Sequence, residues 1–128
     1  AWPVVYRSEL NPSLRAWLQS LTANLVGGAC VFVDYGYARH DYYSAERAQG
    51  TLLCHYRHRA HAEPLLLPGL QDITAQVDFT AVAEAAQMAG LDVGGYTTQA
   101  HFLLDNGIER MLAQASPDMT QEYLRLAA

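Results

Sequence analysis

Lysine is absent from this chain: all eight basic residues are arginine. That excludes mechanisms built on a lysine amine, such as a Schiff base or a P-loop. The two cysteines, Cys30 and Cys54, are too few for a disulfide framework or a cysteine-rich zinc site. The apolar run around Cys30 predicts a buried, reduced thiol in a reducing compartment. No apolar stretch approaches the ~18–20 residues of a membrane helix, so no span is expected. Positive charge is scarce. Thirteen acids leave a formal net charge of −5, which argues against a polyanion binder and predicts no nucleic-acid partner. Gly27-Gly28 and Gly94-Gly95 are isolated pairs that turns explain, not a dinucleotide fingerprint. Ser44 and Ser116 lack the context of a nucleophile elbow, so a hydrolase is poorly supported. No initiator methionine, signal or transit segment precedes the first helix-like stretch, and the chain reads as a piece of something longer.

What is present suits one domain. A hydrophobic fraction of 51% and a charged fraction of 16% exclude disorder, and 128 residues match the common domain size of ~100–200. Asn11-Pro12 begins a helix expected to run to about Val26, with Leu14, Trp17, Leu18, Leu21 and Leu25 on one face and Gly27-Gly28 ending it. Ala29–Asp34 is a continuous apolar run rich in β-branched residues, as in a parallel strand buried on both faces. Residues 36–77 are irregular, rich in tyrosine, arginine and histidine, and read as a functional insertion. Within it Leu52, Cys54 and Tyr56 alternate as a strand or hairpin arm would. Asp78 can cap a helix over Phe79–Ala89, Leu91–Thr97 suits a further strand, and helices are expected near Gln99–Asp105 and Ile108–Ala115. Ser116-Pro117 would open a last helix. No repeat or linker interrupts the order, and the class is α/β.

Several residues carry candidate chemistry. Asp34 ends the apolar strand and leads into Tyr35-Gly36, which places it at the ligand face of an open α/β sheet. The alternative is a structural carboxylate capping nearby backbone amides. His55, His58 and His61 recur every third residue beside Cys54. On a strand His55 and His58 face opposite sides, on a helix His55 and His61 diverge, and no acid completes a shell, so no metal is expected. Tyr56-Arg57-His58-Arg59 is a local cationic patch, either a solvated arm or a clamp for anions and carboxylates. Gln71 and Asp72 lie in an acid-and-amide cluster in which Asp78 is assigned to the helix cap.

Whole segments then become familiar: Ser8-Glu9-Leu10-Asn11-Pro12 leading to Trp17; Val31-Phe32-Val33-Asp34-Tyr35-Gly36-Tyr37; Arg47-Ala48-Gln49-Gly50-Thr51-Leu52; Tyr56-Arg57-His58-Arg59; Pro68-Gly69-Leu70-Gln71-Asp72-Ile73-Thr74-Ala75 with Val77-Asp78-Phe79; and Gly95-Tyr96-Thr97-Thr98-Gln99-Ala100 with Phe102-Leu103-Leu104. In this order the chain resembles the C-terminal half of the MidA-type S-adenosylmethionine-dependent methyltransferases, a family that includes mitochondrial protein-arginine methyltransferases of respiratory complex I assembly. The resemblance implies a partial Rossmann-like class I methyltransferase fold, with Ala29–Asp34 as strand five, Leu91–Thr97 as strand six, flanking helices and an insertion at about 36–77. It implies S-adenosylmethionine as co-substrate, a protein substrate with arginine as methyl acceptor, Asp34 and Tyr35 at the catalytic pocket floor, and His58, Arg59, Gln71 and Asp72 shaping substrate access. Gln76 stands where relatives usually carry histidine. The family's glycine-rich cofactor loop and ribose-holding acid have no counterpart in the sequence, so this chain by itself is expected to be inactive. The setting would be cytoplasmic in a bacterium and the mitochondrial matrix in a eukaryotic relative. A strand lacking its sheet neighbour favours self-association, which allows a homodimer. The rival reading is a non-catalytic assembly module that docks proteins through the Tyr/Arg-rich insertion.

Overall fold

The computed structural model describes residues 5–114. They belong to two compact units that divide after Val93. The first helix, α1, spans Leu14–Thr22. It starts two residues after Pro12 because Asn11 closes a turn of its own, its side-chain oxygen accepting from the Ser13 amide at 3.2 Å. It also stops four residues before Val26. The Thr22 hydroxyl donates back to the Leu18 carbonyl at 3.0 Å, a local bond that competes with helix continuation, and Asn24 follows. Of the apolar face, Leu18 is fully buried while Trp17 and Leu21 stay about half exposed. Leu18 packs with Ala85 and Ala86, bordered by Leu14, Val82 and Leu91, and its burial contributes ~2 kcal/mol.

Residues 36–77 are more ordered than their composition suggests. They hold β1 (Gly36–Tyr37), α2 (Arg39–Tyr42), a 3-10 turn at Ala45–Arg47, β2 (Leu53–Tyr56), β3 (Arg59–His61) and β4 (Asp72–Thr74), after which come β5 (Val77–Asp78) and α3 (Phe79–Met88). The strands form two small sheets: β1 parallel with β5, and an antiparallel sheet ordered β3-β2-β4. The expected alternation survives in β2, where Cys54 is buried between exposed Leu53 and His55. Its register puts Cys54, Tyr56, Arg59, His61 and Ile73 on one face, and Leu53, His55, Ala60, Asp72 and Thr74 on the other. Between β2 and β3 only Arg57 and His58 turn the chain, both with positive φ, 46° and 62°. This is the backbone of a primed two-residue hairpin turn, normally Asn-Gly, and each non-glycine residue there costs ~1 kcal/mol.

Two expected strands have no ladder. Ala29–Asp34 is neither helix nor strand, and Val31 and Val33 are largely exposed. Cys30 is exposed as well, while Cys54 is the buried thiol. An apolar β-branched run specifies extended backbone, but a strand also needs neighbours to receive its N–H and C=O groups, and the described residues bring none to 29–34. Leu91–Thr97 is likewise neither helix nor strand, and the Leu91 amide instead donates to the Ala86 carbonyl at the end of α3, at 3.0 Å. Asp78, by contrast, caps α3 as expected, its Oδ1 accepting from the Ala81 amide at 3.0 Å. In the second unit α4 (Gln99–Asp105) is capped by Thr98, which accepts from the His101 amide. Gly107, at φ +79°, separates it from α5 (Ile108–Gln114). The helix expected from Ser116 lies outside the described residues.

Gly36 is the tightest backbone approach in the β1–β5 pair. A Cβ there would press on the Val77 carbonyl and sit 2.8 Å from Phe79 Cε2. Gly36→Ala should therefore lower unfolding stability by about 2 kcal/mol, read as a reduced urea midpoint with unchanged m; an unchanged midpoint would show that β5 yields freely.

Candidate functional site

Four of the segments that carry the family resemblance, far apart in sequence, meet in the first unit. Gly50, at φ +82°, directs the loop amides after it toward Glu9. The Glu9 carboxylate accepts from the Thr51 amide and hydroxyl, both at 2.9 Å, and from the Leu52 amide at 3.3 Å. The same Thr51 hydroxyl oxygen accepts from the Gln76 amide at 3.0 Å. One residue on, the Val77 amide donates to the Tyr35 carbonyl at 2.9 Å. A continuous polar path therefore runs from Glu9 through Thr51 and Gln76–Val77 to Tyr35 and Asp34. Arg7 reinforces it, its amide donating to the Ala48 carbonyl at 2.9 Å.

Tyrosines and arginines surround this junction. Tyr42 is buried and packs edge-on against Tyr43 with ring centroids 4.8 Å apart. Burial pushes both phenols above their ordinary pKa, and hydrogen bonding with Thr51 partly offsets this at Tyr42. Both hydroxyls thus stay protonated at neutral pH. The Arg47 guanidinium lies 3.8 Å from the Tyr37 ring centroid and donates to the Asp41 carbonyl at 2.6 Å. Arg39 fastens α2 to α3: its Nε donates to Asp78 at 3.3 Å, its two terminal nitrogens to the two oxygens of Glu84, and its amide to the Thr80 hydroxyl at 3.0 Å. Donating to the Glu84 carboxylate, then to Asp78, raises the Arg39 pKa above its ordinary value, and accepting from Arg39 lowers that of Glu84. An open hollow of about 470 Å³ beside the latch is lined by Arg39, His40, Tyr43, Ser44 and Ala45.

The candidate site residues fall into two groups. Asp34 and Tyr35 stand at the junction, immediately before β1. Asp34 Oδ1 accepts from the Tyr35 amide at 2.7 Å, so the capping role and an exposed carboxylate coexist: one oxygen is held and Oδ2 is open to a ligand. Tyr35 projects into solvent, 83% exposed. The other four lie at the tip of the antiparallel sheet. His58 is in the turn, Arg59 opposes Tyr56, and Asp72 opposes His55 on the other face. Gln71 is turned into its own loop, its Nε2 donating to the Pro64 carbonyl at 2.7 Å. The five-residue step from Asp72 to Val77 spans at most ~17 Å of extended chain, and no hydrogen bond or ion pair joins the two groups among the described residues. Glu9, Thr51 and Arg39 escaped the sequence reading as site residues. The only local signal for the first two was Gly50, whose Cβ would collide with the Glu9 carboxylate. Among the described residues no three histidine, cysteine, aspartate or glutamate side chains are grouped to hold a metal.

Two outcomes check this geometry. Glu9→Ala leaves the Thr51 and half-buried Leu52 amides without their acceptor and should destabilise the chain by about 2 kcal/mol, measured by urea unfolding; an effect below 0.5 kcal/mol, on the same order as an exposed pair, would reduce Glu9 to a surface contact. The Arg39–Glu84 pair, 44% and 48% exposed, is screened by solvent, so its effect is small and salt-sensitive. The lowered Glu84 pKa makes its stabilisation complete above the ordinary value of 4.5 and lost as pH falls through the folded value. Arg39 stays charged throughout. The gap in thermal midpoint between wild type and Glu84→Gln should therefore close on acidification from pH 6 to 3; a constant gap would contradict the pairing.

Comparison with known proteins fits this geometry to a family. Residues 3–97 match the S-adenosyl-L-methionine-dependent methyltransferase family profile. The chain is 31% identical over 124 residues to the mitochondrial protein arginine methyltransferase NDUFAF7 of Rattus norvegicus, covering 91% of this chain and 26% of that protein. A native crystal structure of an uncharacterized protein from Burkholderia thailandensis superposes with a TM-score of 0.85 at 50% identity, covering 95% of this chain and 33% of that one. A second structure, of a member of the same superfamily from that organism, is bound to S-adenosyl-homocysteine. It superposes at 0.83 and 50% identity, covering 94% and 31%. The chain thus spans about a quarter to a third of the length of these relatives. S-adenosylmethionine is the co-substrate of the family. Among the described residues Gly27-Gly28 and Gly94-Gly95 are isolated pairs, not a glycine-rich cofactor turn between strand and helix. Motifs, fold and family profile agree that this chain belongs to the MidA-type S-adenosylmethionine-dependent methyltransferases.

Proposed function

We propose that the complete enzyme methylates arginine in a protein substrate, and that this chain supplies the acceptor side of one methyltransferase domain as its C-terminal part. The observation that carries the reading is the exposed Asp34 carboxylate, fixed by the Tyr35 amide where the family motifs meet. A carboxylate with one oxygen free pairs naturally with a guanidinium, and a methyl transfer to nitrogen depends mainly on aligning the acceptor. Tyr35 forms the floor beside it, and the sheet tip carrying His58 and Arg59 borders the approach, with Asp72 on its far face. Ala29–Asp34 and Leu91–Thr97, which belong to no helix or strand here, take up ladder positions in the sheet of the whole enzyme. The name of the rat relative supports arginine as the acceptor, and we extend this to components of respiratory complex I as the acceptor class in mitochondrial relatives. The cytoplasm in bacteria and the mitochondrial matrix in eukaryotes are the corresponding sites of action.

The test uses the full-length enzyme and extract from cells lacking its gene. Radiolabelled methyl from the co-substrate should appear as base-stable methylarginine in protein. Asp34→Asn, which keeps shape and removes charge, should fold normally and lower the rate at least tenfold, ~1.4 kcal/mol of barrier. Label on lysine or in base-labile esters, or full turnover by the folded variant, would overturn the assignment.

A further inference from the structure

We infer that the tip of the β2–β3 hairpin is a docking element for an acidic segment of a partner protein. This rests on the reading that the methyl acceptor is a protein. The tip is built at a conformational cost, since Arg57 and His58 both occupy the left-handed region where Asn-Gly would sit without strain. Backbone strain of this kind persists where the side chains are needed in place. What the turn presents is charge. The Arg57 guanidinium carbon lies 5.3 Å from the Tyr56 ring centroid, and Arg59 opposes Tyr56 directly in the ladder. One guanidinium thus lies near the ring, a second arginine is its ladder partner, and the exposed His58 stands between the two in sequence.

The charge is also unspent. Arg39 and Arg47 are consumed by Glu84, Asp78, the Asp41 carbonyl and the Tyr37 ring. The side chains of Arg57 and Arg59 make no hydrogen bond or ion pair among the described residues. Asp72, the acid closest in register, lies on the opposite face of the sheet, paired with His55. On a chain of net charge −5 the tip is a small positive island. It is too small for a nucleic acid, whose binding is spread over many phosphate contacts against the repulsion of an acidic protein. Its size and forked geometry fit two or three carboxylates on an extended peptide.

The experiment needs no co-substrate, so its outcome is independent of methyl transfer. The full-length enzyme, without co-substrate, is titrated against a fluorescein-labelled octapeptide of alternating glutamate and glycine, with binding read by anisotropy at low salt. Saturable binding is expected, weakening with added salt and absent for the glutamine-for-glutamate peptide. Arg57→Gln with Arg59→Gln should weaken it at least fivefold. Arg57→Asn with His58→Gly keeps the fold testable if the first variant unfolds: it suits the turn, so the thermal midpoint should rise while affinity falls at least twofold. Wild-type affinity in either folded variant, no saturable binding to the acidic peptide, or tighter binding through these residues to a thymidine oligonucleotide or to phosphatidylserine vesicles would overturn the proposal. Peptide binding that persists in an enzyme shown not to methylate arginine would leave the dock standing and remove the arginine assignment alone.

Discussion

The first unit of this molecule is organised around one hydroxyl. Thr51 Oγ1 donates to Glu9 and accepts from the Gln76 amide, so a single side chain ties together stretches separated by 42 and 25 residues. A hydroxyl is the smallest group able to donate and accept at once. Its two bonds are directional, so the loop, the leading segment and the strand before α3 cannot slide independently. The carboxylate on the donor side makes the arrangement strong, because charge-assisted bonds to backbone N–H groups are roughly twice as strong as neutral ones. Gly50 is the condition for all of it: its positive φ lets the loop double back, and any Cβ there would displace the carboxylate.

The apolar contribution is smaller and lies elsewhere. Leu18 against Ala85 and Ala86 joins α1 to α3 through small residues, which allow close approach but bury little area. α3 is also held at its start by polar means, through the Asp78 cap and the Arg39 latch. Asp78 thus serves two partners, the Ala81 amide within its helix and the Arg39 guanidinium from α2. The strand β5 that precedes it inherits a fixed direction, and with it the amide that donates to the Tyr35 carbonyl. Asp34 is positioned by this chain of dependencies and not by a core of its own.

Features governed by nearest neighbours were legible in the sequence. Asp78 announces its helix because a cap acts over two or three residues, and the Leu52–Tyr56 alternation announced an arm because pleating acts over two. The observed boundaries moved where a side chain bonded its own backbone, as Thr22 does. The hairpin turn was illegible because Arg-His carries none of the usual φ-positive signature. The run at Ala29–Asp34 shows the opposite limit: its composition specifies extended backbone, yet a ladder is a property of pairs, and no local pattern supplies the partner. Glu9 is the clearest case of distance. It was visible within Ser8-Glu9-Leu10-Asn11-Pro12, as Gly50-Thr51 was within its own motif, but periodicity carries no information that the two touch.

That contact bears on what the motifs are for. Of the segments that carry the family resemblance, the Glu9, Asp34, Gly50-Thr51 and Val77-Asp78 stretches meet each other before they meet any ligand, and most of their polar groups are spent within the junction. Asp34 differs: its Oδ1 is used on the adjacent amide and its Oδ2 is left outward. A junction that consumes nearly all its hydrogen-bonding capacity is rigid, and rigidity is what an acceptor-holding carboxylate requires, since displacement at a nitrogen is sensitive to the direction of approach. The Tyr/Arg-rich sheet contrasts with this, for its tip keeps its charges unpaired. On the proposed function, a rigid carboxylate and an uncommitted cationic edge within one unit would divide the work between aligning one side chain and gathering the polypeptide that carries it.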